Sequence, residues 1–494
     1  MKTKNLSKYL FGIELILLFL LTMCFVPACD DLTFRYGEFF QFHNVSEFFH
    51  SVLYYGNGRL LGNALIILFS KIPQVFLALM FVMTVVLCCL LEKIFNIKNL
   101  KNIALASLIF MPLPVLRETF VWMTGYINYV IPIICLLITI SIIYIYIYIY
   151  NREYKIFVII CFFLAVIGFC EQLFIEHNTL INLAVSFVLV FYYYKNKGKD
   201  DCYLKFKASV VLLISNIVGA AVMFGYKFYV NYDETFSAKM NYRQTLFSVE
   251  GMKNKLLFVF ENGSYMIFTV ATSIFAVGFL LYIMMSIAKK ENIKKVKFPL
   301  LLSLFYLPLC AVCYLYFIVD KSSKLAYVLI FLFAFVSFCG IIMLFIKIIA
   351  KFADRKTLLV FAMFIFLSIV SFLPFLVVSP CSFRCCFLSY FFMISADFVL
   401  FKYLIDKYDV NTDKVSSFLS VLTCLMLIVY VAFYFKEKKI YLIKEKYAAT
   451  EYYLPSSNEN FVHLGDSRWE LLPGGLPEHE YIPLEEWKTL VDNN

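Results

Sequence analysis

The sequence predicts an all-α integral membrane protein with about 13 transmembrane helices, a long interfacial first external loop and a small C-terminal external tail. Three observations predict it. Of 494 residues, 62% are hydrophobic and only 16% charged, with a mean hydropathy of +0.81; soluble domains sit nearer about 45–50% apolar and about 25% charged. The apolar residues fall into runs of about 20, the length that crosses a bilayer as a helix. The basic clusters fall on alternate connections, as the positive-inside rule requires. This composition excludes a soluble enzyme, a nucleic-acid-binding domain, a disordered chain and a secreted disulfide scaffold. The net charge of +10 reads as loop charge that orients the chain, not as an affinity for nucleic acid.

Taken in order, the expected spans are 9–28, 73–92, 103–117, 127–150, 156–174, 178–194, 208–229, 264–287, 299–318, 325–348, 357–378, 385–403 and 416–435. The first is too long an apolar run for a typical signal-peptide core and reads as an uncleaved helix with a cytoplasmic N-terminus. The span 103–117 is short. Without it, however, the two strongest basic clusters, Lys195 to Lys207 and Lys289 to Lys297, would both lie outside. The Ile-Tyr alternation from Ile143 to Tyr150 looks like a strand, but a lone strand leaves its backbone unpaired in lipid, so it reads as a helix end with interfacial tyrosines. Residues 1–435 therefore form a polytopic transmembrane domain, and 436–494 a small extracytoplasmic tail. Most of the 15 cysteines lie in apolar runs and read as free thiols.

Charge is scarce inside the spans. Glu14 and Asp397 lie toward their cytoplasmic ends, where they are expected to reach the interface. Polar and aromatic residues gather instead in five external segments. The first loop opens with Asp30-Asp31 at the membrane exit. It continues through an aromatic stretch from Phe34 to Phe49 that suits an interfacial helix, then breaks at Gly56-Asn57-Gly58-Arg59. The second segment, Arg117 to Tyr129, would place Trp122, Tyr126 and Tyr129 on one helical face, with a bend at Gly125 and the amide of Asn128 beside them. The third carries Glu171, Gln172, Glu176 and His177; one histidine without a second ligand nearby does not make a metal site. The fourth, from about Val230 to Gly263, has lid length. The fifth is a tight link that leaves Arg384 at the rim, where its planar fork suits a phosphate.

An acidic pair after the first span, in a long interfacial loop, resembles the GT-C superfamily of polytopic glycosyltransferases. A closer resemblance is to a poorly characterised bacterial family of multi-span proteins. Its shared elements here are Asp30-Asp31, Gly58-Arg59, Trp122 to Tyr129 with Gly125 and Asn128, and Arg384. The topology match covers most of the chain, the motif match about 25 residues. The tail is much smaller than the large external domains of many GT-C enzymes.

The resemblance implies transfer of a sugar from a polyprenyl-phosphate donor to a hydroxyl of a glycan or lipid-linked acceptor, at the outer face of the cytoplasmic membrane. Asp31 would be the general base, with Asp30 the alternative. Arg59, Arg117 and Arg384 are candidates to hold the phosphate. Trp122, Tyr126, Asn128 and Glu171 would bind substrate. Membrane lipids are the surroundings and nucleic acid is not a partner. No cofactor is required by the residues, and a divalent cation stays open because some relatives use one. Two rival readings remain: a polymerase or ligase acting on the same carriers through later arginines, and a transporter of lipid-linked glycans.

Overall fold

The computed structural model describes residues 3–26, 31, 34–35, 40–111, 113–146, 154–198, 202–230, 354–371, 383–408, 410–448, 461–463 and 481–483. These residues are overwhelmingly helical. The main helices are α1 (Thr3–Cys24), α2 (Val45–Leu53), α3 (Leu60–Lys71), α4 (Pro73–Phe95), α5 (Leu100–Ile109), α6 (Met123–Tyr144), α7 (Tyr154–Glu171), α8 (Glu176–Lys195), α9 (Cys202–Phe224), α10 (Arg355–Val370), α11 (Phe387–Tyr408) and α12 (Thr412–Ala448). In the tail, Phe461–His463 pairs antiparallel with Tyr481–Pro483.

Six of these segments are long and apolar enough to cross a membrane: Leu6–Cys24, Pro73–Phe95, Met123–Tyr144, Cys202–Phe224, Arg384–Lys407 and Thr412–Phe435. Each overlaps an expected span. Helices α7 and α8 also cover the expected spans 156–174 and 178–194, and α10 covers the first part of 357–378. The expected spans 264–287, 299–318 and 325–348 lie outside the described residues.

Burial sorts the helices into layers. The central segments Met123–Tyr144 and Arg384–Lys407 are 78% and 83% buried, whereas the Pro73–Phe95 segment is 33% buried. Helix α4 shows why. Phe76, Met80, Thr84, Leu87 and Leu91 recur at helical spacing and form its buried stripe, while Val75 and Val82 on other faces are exposed. Exposed apolar rows on α1 (Ile16, Phe19, Leu20), α7 (Phe162, Phe163), α9 (Ile214, Ile217, Val218) and α12 (Leu425, Ile428, Val429) are far more apolar surface than water tolerates in one molecule. A bilayer accounts for them.

Five sequence expectations are corrected. The span expected at 103–117 is helical from Leu100 to Ile109 and again from Leu113 to Leu116. The regular helix is interrupted at Phe110 and Met111, and wide, π-type turns follow at Arg117–Val121. Glu14 does not reach the interface: it is fully buried, with Oε2 accepting from Asn102 Nδ2 at 3.2 Å. The same amide donates to Ser420 Oγ at 2.9 Å and so ties α1, α5 and α12 together. Asp397 is buried as well. In the first loop, Phe34 and Phe40 point inward and stack with Tyr55 rather than lying on the interface. A short helix does follow, begun by Asn44, whose side chain accepts from Glu47 N at 2.9 Å. Residues 60–71, read as loop, form the apolar helix α3.

Helix α12 runs on past Phe435 to Ala448, so the start of the expected tail is helical. Lys438 donates to the carbonyl of Met23 at 2.6 Å, meeting one of the acceptors that the end of α1 leaves open. Cys24, Cys88, Cys170 and Cys386 are free thiols.

Candidate functional site

The first loop, the 117–129 segment, the α7–α8 turn and the start of α11 come together at one end of the bundle. Residues 231–263 of the fourth segment lie outside the described residues, and so does Asp30.

Asp31 is fully buried. Its Oδ1 accepts from the backbone N–H of Thr124 at 3.1 Å and from the Thr124 hydroxyl at 2.6 Å. The reason is local. Trp122 takes an extended conformation (ψ 122°) and so starts a new helix at Met123. The first N–H groups of any helix lack intrahelical acceptors, and Asp31 supplies one from 93 residues away. The positive end of the helix dipole favours negative charge there.

The bend expected at Gly125 is thus at Trp122. Gly125 itself is helical (φ −64°, ψ −48°) and serves close approach: a side chain there would strike the Glu118 carbonyl. Arg117 sits in the wide turn before it, its carbonyl accepting from Trp122 N–H at 3.2 Å. Wide turns of this kind gather at functional sites.

Arg384 comes back to this segment. Its guanidinium lies 4.3 Å from the centre of the Trp122 ring, a cation–π arrangement. Its backbone N–H donates to Glu118 Oε2 at 3.1 Å. Beside it, Cys385 Sγ is 3.5 Å from the Tyr129 hydroxyl, and the Tyr129 ring lies 5.4 Å from the His177 ring.

Arg59 opens α3 and pairs with Glu176 at 2.8 Å. The turn before it needs glycine: Gly56 and Gly58 have φ of 54° and 72°. The N–H groups of Leu61 and Gly62 both donate to Leu173 O at 3.2 Å, so α3 is docked on the α7–α8 turn. Asn128 reaches this seam, its Oδ1 seated where a side chain on Gly62 would lie. Lower in the first loop, Lys71 Nζ donates to the Arg35 carbonyl at 2.7 Å and to Gln41 Oε1 at 3.2 Å. Burial, with help from the nearby charge of Arg35, pushes its pKa down to about 8.

The remaining candidates are turned into the protein. The Tyr126 hydroxyl donates to Met80 O at 3.1 Å and lies 3.0 Å from Thr84 Oγ1. Glu171 is fully buried against Gln172 and Asn216. A cavity of about 20 Å³ bordered by Thr22, Met80, Thr84 and Phe120 is no larger than a water molecule and far too small for a sugar ring. Among the described residues no three His, Cys, Asp or Glu side chains gather to hold a metal ion.

Sequence reasoning passed over Thr124 and Glu118. Neither has a signal of its own, since both matter only through partners 93 and 266 residues away. No family model, curated protein or solved structure matches the chain.

Proposed function

We propose that this chain transfers a sugar from a polyprenyl-phosphate donor to a hydroxyl of a cell-envelope acceptor, at the outer face of the membrane. The single observation behind this reading is the gathering of Asp31, Trp122 and Arg384 on one short segment: an acid, an aromatic face and a guanidinium held by the same turn. The resemblance to GT-C glycosyltransferases carried by the same residues adds to it. In this reading the N-terminus is cytoplasmic, about 13 spans cross the membrane, and the tail lies outside.

The reaction follows from the residues. Asp31 takes the proton of the acceptor hydroxyl. The resulting oxygen attacks the anomeric carbon from the face opposite the phosphate. The bond from that carbon to the phosphate oxygen breaks, the lipid phosphate leaves with the electron pair, and configuration inverts. Arg384 faces the developing phosphate charge, with Arg117 and Arg59 the further candidate cations. Trp122, buried against Arg384, holds that guanidinium in place beside the sugar. Tyr126 and Asn128 act as positioning residues, because their polar groups are turned into the bundle and hold this segment in place.

A transporter of lipid-linked glycans is the second reading. It is favoured by one observation: Glu14, Glu171 and Asp397 are all buried within the helical layer, and buried ionisable groups mark transport routes. The experiment that separates the two compares surface glycans of the native host carrying wild type or an equally expressed Asp30→Asn/Asp31→Asn variant. Loss of one sugar from otherwise intact chains is the expected result. Unchanged glycans would remove the acidic pair from the chemistry, and an intracellular build-up of complete lipid-linked glycan would favour transport.

A further inference from the structure

Between α7, α8 and α9 lies a buried cluster that the transfer chemistry does not use. Gly168 and Gly219 bring α7 and α9 close. A side chain at Gly168 would meet Asn216 Oδ1 at 2.9 Å, and one at Gly219 would meet Gln172 Cβ and Cγ at 2.8 Å. Asn216 Nδ2 donates to the Asn182 carbonyl at 3.3 Å, and its carboxamide also approaches Glu171. Gln172 Nε2 donates to Glu171 Oε1 at 3.3 Å and to Gly168 O at 3.2 Å. Asn178 lies one turn before Asn182 on the same helix face, and Thr179 ties that turn to Gln172 O at 2.9 Å.

All five polar side chains are at least 98% buried. Five of their oxygens, Glu171 Oε2, Gln172 Oε1, Asn178 Oδ1, Asn182 Oδ1 and Asn216 Oδ1, and two of their amide nitrogens, Asn178 Nδ2 and Asn182 Nδ2, have no hydrogen-bond partner among the described residues. Buried oxygens left this way cost stability, so their concentration in one place points to an occupant. The five unmet oxygens, without sulfur or imidazole, suit a hard cation, and the two amide N–H2 groups turn away from it. The oxygen set carries one negative charge. A monovalent ion makes the buried site neutral, whereas a divalent ion would leave a net positive charge out of water. A proton on Glu171 would neutralise the charge but leave the carboxamide oxygens unmet.

We propose that Glu171, Gln172, Asn178, Asn182 and Asn216 form a monovalent-cation site that braces the α7–α8 turn. That turn carries Leu173, the acceptor for α3, and Glu176, the partner of Arg59. The ion thereby supports the rim of the candidate site from behind. The proposal does not depend on the transferase reading.

The test uses the purified full chain in detergent, with radioactive Na+ in an equilibrium binding assay. Thermal unfolding in sodium chloride is compared with choline chloride at equal ionic strength. Saturable binding near one Na+ per chain is expected, with an unfolding midpoint about 3 °C or more higher at about 300 mM than at about 1 mM Na+. Glu171→Gln should abolish both while folding as well as wild type does without Na+. Asn178→Ala should weaken binding about tenfold. Absence of saturable binding together with equal midpoints in sodium and choline would overturn the proposal, and this arm needs no variant to fold. Displacement of Na+ by a lower concentration of Mg2+ would overturn the single-charge argument.

Discussion

Gly62→Ala offers the sharpest check on how the candidate site is built. The added methyl would land on Asn128 Oδ1, well inside van der Waals contact, and 3.4 Å from the Phe174 carbonyl. One of the two must move by roughly 1 Å, and both belong to anchored elements. Gly62 is held through its own N–H to Leu173, and Asn128 is buried in the most enclosed part of the bundle. Overpacking of this size costs about 1–3 kcal/mol, a drop of a few degrees in unfolding midpoint.

Asn128→Ala removes the obstacle. Added to Gly62→Ala it should recover most of the loss, giving a coupling of about 1–2 kcal/mol in a double-mutant cycle. Thermal unfolding of the four proteins in one detergent measures it. Additive losses would show that Asn128 does not sit against Gly62. Its role would then return to substrate contact, and the docking of α3 on the α7–α8 turn would need another explanation.

Three further outcomes follow from the same geometry. Arg384→Lys keeps a cation but loses the planar fork and the stacking on Trp122; folding should survive while sugar transfer falls by at least about tenfold, and transfer at the wild-type rate would remove Arg384 from phosphate binding. Exchange of the half-buried pair by Arg59→Glu with Glu176→Arg should restore stability lost in either single variant, by about 1 kcal/mol; failure of the swap would mean that Arg59 is needed for more than this pair. Lys71 has a folded pKa of about 8, below its ordinary value, so between about pH 8 and 10.5 the unfolded chain binds more protons and stability rises with pH. Lys71→Met should therefore stabilise most below about pH 8, with the advantage shrinking between about pH 8 and 10.5 and gone above that, and pH-dependent unfolding of both proteins checks the sign.

Much of the site was legible because its residues violate the surrounding pattern. Asp31, Arg59, Trp122 and Arg384 are polar or amphipathic groups at the ends of apolar runs, and composition makes them conspicuous. Gly56 to Arg59 read correctly as a break, since positive φ at Gly56 and Gly58 is what such a string is suited to. Gly125 misled for the opposite reason. Glycine signals either a special backbone angle or the absence of a side chain, and only the Glu118 carbonyl pressed against it shows which. Helix α3 was missed because a 12-residue apolar stretch is too short for a span and was absorbed into the loop.

By itself, the sequence determined the solvent and the material: a chain this apolar belongs in lipid, and lipid demands helices with internally satisfied backbones. Apolar periodicity then placed the described helices along the chain. Only the tertiary structure decided which helices are central, that Glu14 and Asp397 are buried rather than interfacial, and that Asp31 caps a helix 93 residues away. The physical reason is range. Hydrophobic runs, turn residues and loop charge act between near neighbours and leave a local record. A cap supplied from another segment, a glycine cleared for a distant carbonyl and a guanidinium laid on a distant indole exist only after the helices have packed.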